Sequence, residues 1–131
     1  MSLMQEHPFF RGNYSNTVNK TSMQNSYQSC IDACMQCAEA CDHCAASCLR
    51  ETDISMMVRC VQLDLECSAV CRAASQLMEL GSNHANAISQ LCADICLACA
   101  EECEKHDHDH CRECAIMCRK CAEECMSMTA A

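Results

Sequence analysis

From Cys30 to Cys48 the chain reads C-IDA-C-MQ-C-AEA-C-DH-C-AAS-C, with cysteines at 30, 34, 37, 41, 44 and 48. The steps alternate between four and three residues. On a helix of about 3.6 residues per turn that alternation holds every thiol on one stripe. The intervening residues are mostly Ala, Glu, Asp, Gln and Met, all compatible with a helix, and none is Gly or Pro. The stretch is therefore an amphipathic helix whose less polar face is sulfur. At about 1.5 Å of rise per residue, the stripe spans roughly 27 Å.

The same device recurs downstream. A second helix is expected from a cap at Thr52 or Asp53 to Leu80, with Gly81 just past its end. Its stripe is Met56 or Met57, Cys60, Asp64, Cys67, Cys71, Ala74 and Met78, with Asp64 where the pattern expects a cysteine. A third helix, capped by Ser82 or Asn83, runs to about Lys105 and carries Ala85, Ile88, Cys92, Cys96, Cys99, Cys103 and His106. The loop His106-Asp107-His108-Asp109-His110 follows. The fourth helix, to Met126 or Met128, carries Cys111, Cys114, Cys118, Cys121 and Cys125. The first helix is expected from a capping box at Thr21 and Gln24 to about Glu51. Residues 1–20, with Pro8, Gly12 and three of the four aromatics, read as an irregular arm or short docking helix.

Four such helices with short connections predict an all-α, up-down-up-down four-helix bundle over residues 21–128, its cysteines lining the core. Composition bears on that expectation. Leu, Ile, Val and Phe make up less than a fifth of the 131 residues, and the net charge is −9, a pairing that ordinarily warns of disorder. Periodicity overrides the warning, because Cys, Ala and Met can supply the interior. The repetition also suggests a duplicated helical hairpin with a cysteine-poor second helix.

The connectivity puts Cys48, Met56, Met57, Cys60, Cys103, His106, His108, His110 and Cys111 at one end, a mouth rich in soft and polar ligands. Tyr27, Met78, Leu80, Ala85, Ile88 and Met128 gather at the other end as an apolar plug. His7, His43 and His84 lie away from the stripes and the mouth and read as unrelated.

Charge excludes nucleic acid as a natural partner, since there is no basic patch. No apolar run approaches a membrane span. The N-terminal residues lack the basic and apolar regions of a secretory signal, so a cytoplasmic setting with reduced thiols is expected. Eighteen reduced thiols in one small domain point to metal more than to disulfides.

Eight cysteine pairs stand four residues apart: 30/34, 37/41, 44/48, 67/71, 92/96, 99/103, 114/118 and 121/125. Cβ atoms so spaced on a helix lie about 5–6 Å apart. That is too far for an easy disulfide, which needs about 3.5–4.5 Å. Two thiolates at that spacing can instead converge on one ion. Cu(I) is soft and accepts two thiolates, whereas zinc seeks four ligands, usually presented from turns. The cluster-binding run of bacterial ferredoxins, with its closing proline, is absent. The bland alternative is a cysteine-rich core with no metal. Asp64 is either a carboxylate ligand among thiols or an acid on a face turned outward. Met56 and Met57 are ordinary core or surface residues unless the mouth recruits a thioether. The His106, His108 and His110 triplet is a solvated loop or the first ligand set that an incoming ion meets.

The repeated C-x3-C on four helices, the cysteine-poor second helix with Asp64 in its stripe and the histidine-bearing mouth resemble the bacterial copper storage proteins, most closely their cytosolic branch. The resemblance covers about residues 22–128. It implies a tube holding many Cu(I) ions through inward thiolates, with Asp64 and the mouth histidines joining the cysteines as ligands; which histidine does so is left open by the resemblance, and His106 is the one expected because it continues the third stripe. It also implies assembly into a homotetramer and storage without catalysis. The donors and acceptors of the copper are left open. Competing readings are an Fe–S electron-transfer protein, a zinc or general heavy-metal sequestration protein, and a non-metal interaction module.

Overall fold

The computed structural model describes residues 17–130, so the expected arm lies almost wholly outside the described residues. Four helices run Thr17–Cys48 (α1), Val58–Glu79 (α2), Ala85–Cys103 (α3) and Asp109–Ala130 (α4). A single 3-10 turn, Ile54–Met56, interrupts the α1–α2 connection. No strand occurs among the described residues. Each helix packs on two neighbours, α1 on α2 and α4, and α3 on α2 and α4. This is the square, up-down-up-down four-helix bundle that the stripes anticipate.

Helix boundaries depart from expectation at identifiable points. α1 starts at Thr17 and not at Thr21; Thr17-Val18-Asn19-Lys20 contains neither Gly nor Pro, so nothing stops the helix from running through the expected box. It ends at Cys48 rather than Glu51, where Leu49 to Glu51 tighten into turns. α2 waits for the 3-10 turn and starts at Val58, without a side-chain cap. Ser82 does not cap α3 directly; its hydroxyl accepts the His84 N–H at 2.9 Å and shapes the turn leading in. Gly81 has φ +65, and the N–H groups of Gly81 and Ser82 bond back to Met78 and Leu77 at 3.1 and 3.0 Å. That is a Schellman stop, whose left-handed residue favours glycine.

The core is unusual in chemistry and ordinary in packing. All eighteen cysteines are buried, with Ala33, Ala38, Ala74, Ala93, Ala100, Ala115 and Ala122 filling the seams between helices. Small seam residues let the helices close around the sulfur. Larger apolar groups concentrate at the ends. Met57 is fully buried on the mouth side, while its neighbour Met56 is exposed. At the other end Met78 and Ala85 are buried, and Tyr27, Ile88 and Met128 pack against the core. Leu80 does not join this plug. It caps α2 with its N–H still bonded to Gln76, but it stands two residues beyond the buried Met78, a step that turns it away from the stripe and into solvent.

Candidate metal centre

The four helices contribute six, three, four and five cysteines, all free thiols. Within a helix, Sγ atoms four residues apart come to 4.0 Å for Cys37/Cys41, 3.8 Å for Cys44/Cys48 and 3.9 Å for Cys114/Cys118. Between helices the spacing is the same or shorter. Cys30 lies 3.5 Å from Cys125, Cys67 lies 3.5 Å from Cys96, and Cys71 lies 3.6 Å from Cys92. Sulfurs about 3.8 Å apart are the edge length of a metal–thiolate polyhedron with bonds of about 2.3 Å. The thiols are thus already spaced as ligands that share ions.

Groups of four sulfurs lie within 4.8 Å of one another, and they overlap. From the plugged end upward they are Cys34/92/121/125, Cys37/71/96/121, Cys37/41/67/118 and Cys41/99/114/118. Consecutive groups share at least one sulfur, so an ion can move along the column by exchanging one thiolate at a time. A further group, Cys44/48/60/111, lies at the mouth.

Asp64 joins the mouth group to the rest. It is fully buried, which settles its orientation: the carboxyl faces inward. Its Oδ1 accepts from Cys99 at 3.2 Å, Cys114 at 3.4 Å and Cys103 at 3.7 Å, and its Oδ2 from Cys60 at 3.9 Å. Burial first, then the neighbouring sulfurs of Cys114 and Cys60, push its pKa up to about 9. The metal-free carboxyl therefore holds its proton at neutral pH. Burial likewise pushes Cys111 up to about 12, with the charge of Cys60 adding to the effect. Cys48 is raised for the same reasons. A metal-free column cannot ionise as a whole; the positive charge of incoming ions is what makes adjacent thiolates tolerable.

At the mouth the three histidines take different places. His110 is the one in contact with sulfur: its Nδ1 lies 3.5 Å from Cys44, 3.6 Å from Cys111 and 3.9 Å from Cys48. His108 stacks on it, with ring centroids 5.2 Å apart and planes 5° from parallel. His106 turns to the side, its Nε2 2.8 Å from the nearly buried Glu102. The side chain of Arg112 pairs with Asp107 and Asp109 and closes the loop that carries these rings. His43 and His84 are exposed, apart from the column. At the plugged end, Ser89 is fully buried and its hydroxyl has no partner among the described residues.

The sequence singled out His106 because it extends the α3 stripe. The signal for His110 was equally present, since it stands four residues before Cys114, inside the register of α4.

A helical bundle whose whole interior is a thiol column, opening at a histidine-bearing mouth, is a soft-metal-holding protein. Residues 23–130 match the profile described as Csp, copper storage protein. The chain belongs to the copper storage protein family. Among curated relatives, the uncharacterized cysteine-rich protein YhjQ of Bacillus subtilis is 46% identical over 90 residues, 69% of this chain and 83% of the relative. Among solved structures, the Cu(I)-bound copper storage protein BsCsp3 of Bacillus subtilis superposes with a TM-score of 0.77 at 46% identity, covering 79% of this chain and 98% of that one. A cytosolic copper storage protein from Streptomyces lividans, captured during loading with five coppers, gives 0.81 at 34% identity, covering 85% of this chain and 98% of that one.

Proposed function

We propose that this protein stores Cu(I), many ions per chain, in the thiolate column of its bundle. The observation that carries the reading is the run of overlapping four-sulfur groups from Cys34 to Cys118, continued through Asp64 to the mouth. Cu(I) is d10, soft and content with two or three thiolates, so a shared column can hold ions at many places at once. The Cu(I)-bound state of the Bacillus subtilis relative and the copper-loaded state of the Streptomyces lividans relative support it.

In this reading all eighteen cysteines and Asp64 are ligands, and His110 takes the histidine role at the mouth while His106 stays with Glu102. Ions arrive at the mouth, displace thiol protons and pass inward. Nothing is turned over, so the role is a reservoir and not catalysis. The protein works in the cytosol, and copies assemble as a tetramer.

Four-sulfur groups are also corners of a tetrahedron, and that observation favours zinc as the second reading. An anaerobic Cu(I) titration of the reduced protein against a chromophoric Cu(I) chelator separates the two. Storage requires the chelator to stay colourless until many equivalents per chain have been added. Loss of copper to the chelator after one or two equivalents overturns storage.

A further inference from the structure

The thiols and Asp64 are absorbed by the column; the acids around the mouth are not. Glu51 stands in the turn after α1, three residues beyond Cys48. Its Oε2 lies 2.7 Å from Nε2 of His110 and 3.5 Å from Nδ1 of His108. Asp53 reaches the other nitrogen of His108 at 3.6 Å. Glu51 thus touches both of the parallel rings, and Asp53 touches His108 alone.

A neutral imidazole has one N–H and one lone pair, and an ionised carboxylate can only accept. The 2.7 Å contact therefore puts the hydrogen on Nε2 of His110. The bare lone pair is left on Nδ1, and Nδ1 is the atom that faces Cys44, Cys48 and Cys111. Rotation of the ring would break the Glu51 bond and the stack on His108 together.

We propose that Glu51 is a positioning residue for metal uptake. It locks the His110 ring with Nδ1 toward Cys44, Cys48 and Cys111, so that the first ion meets a preformed imidazole–thiolate site. The proposal rests on the storage reading above. It gives the α1–α2 turn a task in the rate of filling that is separate from capacity.

The test is stopped-flow transfer of the first equivalent of Cu(I) from a chromophoric chelator to the reduced protein. Wild type is compared with Glu51→Ala, Glu51→Gln, His110→Ala and the Glu51→Ala/His110→Ala pair. The expected result is uptake about tenfold slower in Glu51→Ala, an intermediate rate in Glu51→Gln, and final copper per chain unchanged. In the His110→Ala background, removing Glu51 should cost nothing further. A wild-type rate in Glu51→Ala, or a full additional slowing in the double variant, overturns the proposal. Should Glu51→Ala fail to fold, the nearly isosteric Glu51→Gln carries the rate comparison. A second readout needs no copper. In the metal-free protein labelled with 15N-histidine, the Nε2 proton of His110 should be visible and protected from exchange in wild type and lost in Glu51→Ala. Its absence from wild type also overturns the proposal. Low copper capacity in wild type would instead defeat the storage reading, and the proton signal would still decide whether Glu51 holds the ring.

Discussion

The carboxyl of Asp64 lies 3.2 Å from the thiol of Cys99, at the point where the sulfur column gives way to oxygen. The group is fully buried, and no cation stands beside it among its bonded partners. Its cost in the metal-free protein is therefore a matter of protonation. An unfolded aspartate titrates near 3.9, and the folded one is raised to about 9 by burial and then by Cys114 and Cys60.

Between those two values the folded state keeps a proton that the unfolded state has released. Stability of the metal-free protein must then fall as pH rises through the window, and no such penalty exists below about pH 4. The contribution of this one group has a slope of at most about 1.4 kcal/mol per pH unit. Asp64→Asn removes it. Urea unfolding of the reduced metal-free protein should give wild-type and Asp64→Asn stabilities that diverge from about pH 4 to about pH 9, with the variant gaining. Two parallel curves would refute the buried, protonated carboxyl.

Cys118 tests whether sulfur serves as core or as ligand. It lies 3.7 Å from Cys37, 3.8 Å from Cys41 and 3.9 Å from Cys114, and it belongs to two of the four-sulfur groups. Cys118→Ala leaves a small void and should cost about 1 kcal/mol of stability. Cys118→Leu overfills a site bounded by other sulfurs and should cost about 1–3 kcal/mol. Both should lower copper capacity by more than one ion, because both groups lose a member. Chemical denaturation paired with Cu(I) titration checks the two effects separately. Undiminished capacity in Cys118→Ala would make this sulfur packing and nothing else.

The column was legible because a 4-3 spacing is helical geometry written directly in sequence. Cys60 and Cys67 flank Asp64 at helical steps, which put the acid on the stripe but left its inward or outward facing open; the burial of all three in the structure decides it. Legibility failed where helices end. His106 continues the α3 stripe only if α3 persists, and α3 stops at Cys103; freed from the register, the ring turns to Glu102. His110 lies inside α4 and keeps its register with Cys114. Leu80 keeps the register of α2, its N–H bonded to Gln76, and is exposed because it stands two residues off the stripe at Met78. Met56 and Met57 were indistinguishable in sequence because the 3-10 turn that Met56 closes and Met57 follows sets their directions, and no periodicity encodes that turn.

Gly81 offers a control on the fold that leaves the metal chemistry alone. At φ +65 it ends α2 in the left-handed region, and a Cβ added there meets nothing within 4 Å. The penalty for Gly81→Ala is thus conformational only, about 1–2 kcal/mol. Gly81→Asn should cost less, since Asn tolerates that region better. Thermal melts of the reduced proteins give the ranking, with copper capacity equal in all three. A neutral Gly81→Ala would mean that the α2–α3 turn reforms without its left-handed residue.

Loading should change both stability and proton balance, in linked amounts. Cys111, held up to about 12 by burial and by the charge of Cys60, is protonated at neutral pH, so an ion that binds it must displace a proton. In the metal-free protein the folded state keeps this proton above the range where an unfolded thiol, titrating near 8.5, has lost it. Stability should therefore fall further from about pH 9 to about pH 12. With copper bound the sign reverses: affinity rises about tenfold per pH unit for each proton released. Ions that bind only the folded column stabilise it by about 1.4 kcal/mol for each tenfold excess of free ion over the dissociation constant. Loading in weak buffer should thus acidify the solution, raise the melting temperature and hold less copper against a fixed chelator as pH is lowered. Excess chelator should restore the original melt. A melting temperature indifferent to loading would place the bound ions outside the bundle, and the interior column would then not be the store.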